Sequence, residues 1–144
     1  MFKHILLATD GSASAEHAAK KALELARIHG AHVTAAYMVD PYPYIGIGEV
    51  NPMAFQAYMA AAQDASTKVF IALADQAGAA GVQFQARLVE NMQPARGIVD
   101  LADELAADLI VIGSHGRSGV QKLMLGSVAG KVVTLSTRPV LVVR

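Results

Sequence analysis

The sequence predicts an α/β fold: an open, five-stranded parallel sheet with helices on both faces. Three observations predict it. Five short runs of apolar residues are continuous rather than alternating, which is the pattern of strands covered on both sides. Segments with apolar residues three and four positions apart separate these runs, the spacing of helices that bury one face. Caps, glycines and prolines punctuate the joints between them. The order is therefore βαβαβαβαβ over residues 1–144, a single domain, with right-handed crossovers as the default.

Each element has its own signal. Ile5-Leu6-Leu7-Ala8 is a buried strand that stops at the turn Asp10-Gly11. Ser12 suits an N-cap, because its hydroxyl can accept from an otherwise unpaired amide of the first turn. Ala15, Ala18, Ala19, Ala22, Leu25 and Ala26 follow at helical spacing, and Gly30 suits the stop. Val33 to Val39 is the second strand. Residues 41–51 form the one long irregular stretch, with an apolar tip of Tyr42, Tyr44, Ile45 and Ile47 that suits a packed variable loop, a lid or a partner surface.

Asn51-Pro52 reads as cap and first helical position. The helix it opens buries Phe55, Tyr58, Met59, Ala62, Ala65, Val69, Ala72 and Leu73, and ends at Gly78 and Gly81. Val82 to Val89 is a third strand with weaker alternation. Pro94 opens a third helix with Ile98, Leu101, Ala102 and Leu105 inward. Leu109 to Ile112 is a fourth strand, stopping at Gly113. A fourth helix begins near Gly126-Ser127, with Val128, Val132 and Leu135 inward. Pro139 leads into the last strand, Val140 to Val143.

Composition narrows the function classes. Hydrophobic residues are 53% and charged residues 17%, with a mean hydropathy of +0.37, too apolar for a disordered chain. No apolar stretch reaches the roughly 20 residues of a spanning helix, and the opening residues carry no signal-peptide pattern. Membrane insertion and secretion are not expected; a cytoplasmic location is. Cysteine is absent, which removes disulfides, thiolate catalysis and cysteine zinc sites. The net charge of zero gives no electrostatic case for nucleic acid. That balance conceals an asymmetry. All twelve acids lie at or before Asp108, so residues 109–144 carry +5 and the rest −5. A terminal quarter without carboxylates suits an anion.

In an open parallel sheet, ligands bind at the carboxyl ends of strands, near the switch in strand order. That rule selects Ala8-Thr9-Asp10-Gly11, Val39-Asp40, Glu90-Asn91 and Gly113-Ser114-His115-Gly116. The last carries the most information. Gly113, Gly116 and Gly119 permit close backbone approach, and Gly126-Ser127 opens a helix whose first amides attract anions. Ser127 can cap that helix or donate a hydroxyl, and Arg117 and Lys122 add charge. A phosphate cradle and a merely tight turn both remain open from these residues alone. Neither a Walker A loop nor a dinucleotide fingerprint is present.

Gly113-x2-Gly116-x9-Gly126-Ser127 resembles the G-2x-G-9x-G-(S/T) nucleotide motif of the universal stress protein family. Gly113 to Gly119, Leu125 to Val128, Ile5 to Ser12 and Arg138 to Val143 are also similar to that family, so the resemblance spans the whole chain. It implies a Rossmann-like, adenine nucleotide alpha hydrolase-like fold and membership of the ATP-binding subgroup. By that resemblance, Gly113, Ser114, His115, Gly116, Arg117, Gly126, Ser127 and Val128 hold the phosphates. Asp10 sits near the ribose and adenine, with Ala8 and Thr9 beside it, and the backbone of Val39 reads the adenine edge. At Asn91 many relatives carry glycine, and asparagine tolerates the same left-handed backbone.

The implied ligand is ATP with Mg2+, and the implied role is a nucleotide-dependent regulatory module in a stress response. The resemblance also implies a homodimer through strand 139–143, whose edge position would leave backbone groups to pair. Three alternatives stay open: a slow Mg2+-dependent ATP hydrolase, a dimeric scaffold, and a binder of AMP or a cyclic nucleotide. No residue is assigned a catalytic role and no metal ligand is identified. His115 suits loop hydrogen bonding better than a general base, and His4, His17, His29 and His32 read as solvated.

Overall fold

In the computed structural model, which describes residues 1–41, 52–116 and 125–144, elements alternate as the sequence predicts. They are β1 (His4–Thr9), α1 (Ala13–His29), β2 (His32–Val39), α2 (Pro52–Ala80), β3 (Phe84–Glu90), α3 (Pro94–Glu104), β4 (Leu109–Gly113), α4 (Ser127–Leu135) and β5 (Val140–Val143). The strands form one parallel sheet ordered β3-β2-β1-β4-β5. Two crossovers carry the chain outward from β1. It then returns to place β4 on β1's other side, with Ile5 level with both Val33 and Leu109.

The two-residue period of β1 divides the core. Ile5 and Leu7 pack with Val33, Ala35 and Val111 beneath α1 and α2. Leu6 and Ala8 pack with Ala36, Ile110 and Ile112 beneath α3 and α4. A strand that must be apolar on both faces cannot alternate, which is why these strands read as continuous runs. The alanines of α1 let that helix lie close to the sheet; Ala15, Ala18, Ala19, Ala22 and Ala26 are all buried. Ser12 caps α1, its Oγ accepting from the Ala15 amide at 3.2 Å, and Gly30 ends it in the left-handed region at φ 68°.

Several expectations change. β3 begins at Phe84 rather than Val82, because the Val82 amide instead donates to the Ala77 carbonyl and closes α2. α2 runs through Gly78 to Ala80, and Ala72 is exposed on it; Asn51 lies outside the described residues. Leu105 is only half-buried. In α4 only Ala129 and Val132 are buried, while Val128 and Leu135 are exposed. α4 sits over the rim of the sheet beside the edge strand β5, so it has core on one narrow side only. Asn91 does not take the left-handed backbone; among described non-glycine residues only Ala106 does, at φ 51°. Among the described residues, no helix is long and apolar enough to cross a membrane.

His4 is not solvated. It is half-buried at the amino end of the sheet, with Nδ1 3.2 Å from the Leu105 carbonyl oxygen and Nε2 2.8 Å from Thr34 Oγ1. Its ring lies 3.8 Å from that of His32, its register partner on β2.

Candidate functional site

Strand order reverses between β1 and β4, so the connections leaving their carboxyl ends diverge and open a crevice. The first wall is the β1–α1 turn. Thr9 Oγ1 accepts from the Gly11 amide at 3.2 Å, and Asp10 Oδ1 accepts from the Ser12 amide at 2.9 Å. These short-range bonds fold the chain back into α1 and hold the Asp10 carboxylate at the end of β1. Gly11 takes φ 76°, a region closed to most side chains. A Cβ there would also lie 3.0 Å from Val69 Cγ2, so the turn sits directly against the middle of α2.

The second wall is the start of the β4–α4 connection. The Ser114 amide donates to the Val143 carbonyl at 2.8 Å, and the Ser114 carbonyl accepts from the Gly126 amide at 2.7 Å. The connection thus leaves β4 and returns to it. The His115 amide donates to Ser14 Oγ at 3.3 Å, joining the second wall to the first turn of α1. Ser114 Oγ and His115 Nδ1 share a hydrogen bond of 2.9 Å. His115 Nε2 is buried and has no hydrogen-bond partner among the described residues.

The three motif glycines do different work. A Cβ on Gly113 would meet the Ser14 backbone at 2.8 Å, and one on Gly126 would meet the Ser114 carbonyl oxygen at 2.8 Å. Those two let chain segments pack on each other. Among the described residues, a Cβ on Gly116 would meet the end of a side chain, Asp10 Oδ2 at 3.0 Å. Gly116 therefore faces Asp10 across the crevice. Gly126 is the N-cap of α4 and Ser127 is its first residue, so Ser127 does not cap the helix, contrary to one expectation from the sequence.

Between the walls lies a cleft of about 1040 Å3. Asp10, Ser114, His115 and Gly116, all singled out from the sequence, line it together. Gly126 is tied to it through Ser114. Ala8, Thr9 and Gly113 are buried behind it. Val39 ends β2 apart from the lining, its carbonyl accepting from the Asn91 amide at 3.0 Å, which leaves one lone pair. Ser127 and Val128 are exposed at the start of α4. Arg117, Gly119 and Lys122, and the tip from Tyr42 to Ile47, fall outside the described residues.

Sequence reasoning missed Ser14, His17, Asp64, Lys68 and Arg144, which also line the cleft. Ser14 and His17 had a usable signal, since the first turn of a helix that follows a site turn faces the same space. Asp64 and Lys68 had none, because an acid four residues before a lysine reads as an exposed helix pair. Among the described residues, no three His, Asp or Glu side chains converge as metal ligands.

Comparison with known proteins places this architecture. The sequence model described as "Universal stress protein family" matches residues 1–144. A universal stress protein of Methanocaldococcus jannaschii is 35% identical over 146 residues, covering 100% of this chain and 83% of that one. A solved hypothetical protein, whose biochemical function was assigned from its structure, superposes with a TM-score of 0.86 at 25% identity, covering 99% of this chain and 96% of the other. A universal stress protein solved in complex with cAMP superposes with a TM-score of 0.74 at 29% identity, covering 99% and 97%.

Proposed function

The chain belongs to the universal stress protein family, and on that premise we propose that it is an ATP-binding member that works as a nucleotide-dependent regulatory module in the cytoplasm. The observation that carries this reading is the approach of Gly116 to Asp10 across the strand-order switch. It sets a carboxylate beside a loop that leads to a helix N-terminus. A ribose or amino group suits the carboxylate as donor, and phosphates suit the loop and helix amides. The buried Nε2 of His115 adds support. In the tautomer that carries its proton on Nε2, that nitrogen is a buried donor with no acceptor among the described residues, at a cost of about 1–3 kcal/mol. An anionic oxygen is the kind of group that removes such a cost. The structural neighbour that holds cAMP supports an adenine nucleotide as the ligand class.

In this reading Gly113, Ser114, His115, Gly116, Arg117, Gly126, Ser127 and Val128 hold the phosphates, and Ala8, Thr9, Asp10 and Val39 surround the nucleoside. Mg2+ accompanies the triphosphate and neutralises part of its charge. The signal is occupancy of the site rather than turnover. Two copies pair through β5, an edge strand of four uncharged residues preceded by Pro139. Sedimentation equilibrium is expected to give a dimer mass, and a monomer would remove that part of the reading.

The decisive experiment is to denature freshly purified protein, identify released nucleotide by mass spectrometry, and titrate the protein with ATP and Mg2+. ATP at close to one per chain, or tight ATP binding, is the expected result. AMP or a cyclic nucleotide alone would redirect the ligand. No nucleotide and no binding would overturn the reading and leave a dimeric scaffold.

A further inference from the structure

We propose that one face of α2 is the apolar wall against which the nucleoside lies, and that Ala65 sets the width of the space it enters. This rests on the nucleotide reading above and adds a wall to the nucleoside side of the same site. α2 is tied to that side at two points. The Tyr58 hydroxyl donates to the Asp40 carbonyl at 2.7 Å, at the carboxyl end of β2 and next to Val39. Val69 stands against the β1–α1 turn, its Cγ2 3.0 Å from where a Gly11 Cβ would lie. Between these points the helix covers roughly 16 Å of its axis. It passes from the end of β2 to the end of β1, the two strand ends that carry Val39 and Asp10. The β4–α4 connection, which holds the phosphates in that reading, leaves from the other side of β1.

Ala61, Ala65 and Val69 stand four residues apart, so they share one side of the helix, and all three line the cleft. Their side chains are aliphatic and offer no hydrogen bond. Away from α2 the lining is polar, with Asp10, Ser12, Ser14, Ser114 and His115. A cleft with one apolar wall and polar groups elsewhere suits a ligand with a flat apolar face and polar edges. A nucleoside is such a ligand: its ring faces carry no donor, and its sugar hydroxyls and base edges do.

Side-chain size tapers along this wall. At Val69 the helix meets the turn. At Ala65 and Ala61, one and two turns earlier, smaller side chains leave the cleft open. Ala65 is half-buried and Ala61 is exposed, so Ala65 is the deeper of the two. A leucine at 65 would occupy the space beside Asp10 that the nucleoside needs. It would not touch the β4–α4 connection across β1. Leucine is nearly as good a helix former as alanine, and both positions border open space, so the fold should tolerate either substitution, which a thermal melt checks.

The test is calorimetric titration of adenosine, of ATP with Mg2+, and of inorganic triphosphate into wild type, Ala65→Leu, Ala61→Leu and Ala72→Leu. Ala65→Leu is expected to weaken adenosine and ATP by the same factor, about tenfold or more, and to leave inorganic triphosphate within about twofold. Ala61→Leu should act in the same direction and less strongly. Ala72→Leu, exposed on the same helix and outside the cleft, should change nothing. Adenosine binding that is unchanged or tighter in Ala65→Leu would overturn the proposal. So would weaker ATP with adenosine spared, which would put phosphates rather than the nucleoside on α2. If Ala65→Leu melts early, Ala61→Leu decides by the same pattern. The underlying reading fails separately: it falls if wild type binds neither adenosine nor ATP. If wild type binds ATP and every variant matches it, only the α2 wall is lost.

Discussion

The two ends of the sheet are built from the same strands and solve opposite problems. At the amino end the connections are short and the chain bonds to itself. The His32 amide donates to the Lys3 carbonyl, the Asp108 amide to the His4 carbonyl, and the Val33 amide to the Gln83 carbonyl. The Asp108 carboxylate accepts from the Lys3 amide, and Arg138 donates to the Ala107 carbonyl. At the carboxyl end, the β1 and β4 connections diverge around the cleft, and His115 keeps a buried nitrogen without a partner among the described residues. The difference teaches where the fold keeps its unmet bonding capacity. The closed end contributes stability, and in the proposed reading the open end keeps groups available for a ligand.

The motif glycines break the simple form of this division, and two substitutions sharpen it. Gly113→Val is expected to have the largest effect of any change at the open end. Its side chain would be driven into the Ser14 backbone, which cannot retreat because Ser14 lies in the first turn of α1. Overpacking of this kind costs about 3 kcal/mol, readable as a lower midpoint in urea. Gly116→Val should do the reverse. Its backbone is not in the left-handed region, and among the described residues the new Cβ meets the end of Asp10. Stability should stay within about 0.5 kcal/mol, while ATP affinity falls by tenfold or more, about 1.4 kcal/mol or above. If Gly116→Val unfolds the protein, or binds ATP as wild type does, the cradle is not where the open end places it.

Much of this was legible in the sequence, for physical reasons that also mark its limits. β1 and β4 were legible because central strands are apolar on both faces, and Ser12, Gly30 and Pro94 because caps are local chemistry. The placement of Asp10 and Gly116 at the carboxyl ends of their strands followed from topology. The contribution of α2 to the cleft did not, because it depends on Val69 reaching Gly11 across 58 residues of sequence. No local pattern encodes such a contact. The outward Val128 and Leu135 were misread because helical spacing reports an apolar face without saying what covers it. His4 was misread for a related reason. A histidine at the end of a strand reads as solvated until a neighbouring strand supplies a second one.

His4 also supplies the smallest expected effect, confined to the closed end. Burial is the main influence that lowers its pKa below 6.5, and the adjacent His32 lowers it further; the Leu105 carbonyl and Asp108 pull weakly the other way. In the unfolded chain the same imidazole takes a proton near its ordinary value. Above about pH 6.5 both states are neutral at this site and it contributes no pH dependence. As pH falls from there through the lowered folded value, the unfolded chain binds the proton more readily, so stability declines. The decline is modest, because the ring is only half-buried and water screens part of the penalty. Urea midpoints between neutral pH and pH 5 should therefore fall more steeply for wild type than for His4→Gln, which cannot titrate. ATP affinity at neutral pH should be the same in both, since the substitution lies at the far end of the sheet from the cleft. Equal pH slopes would show that His4 is not the titrating group, and a change in ATP affinity would show that the two ends are coupled.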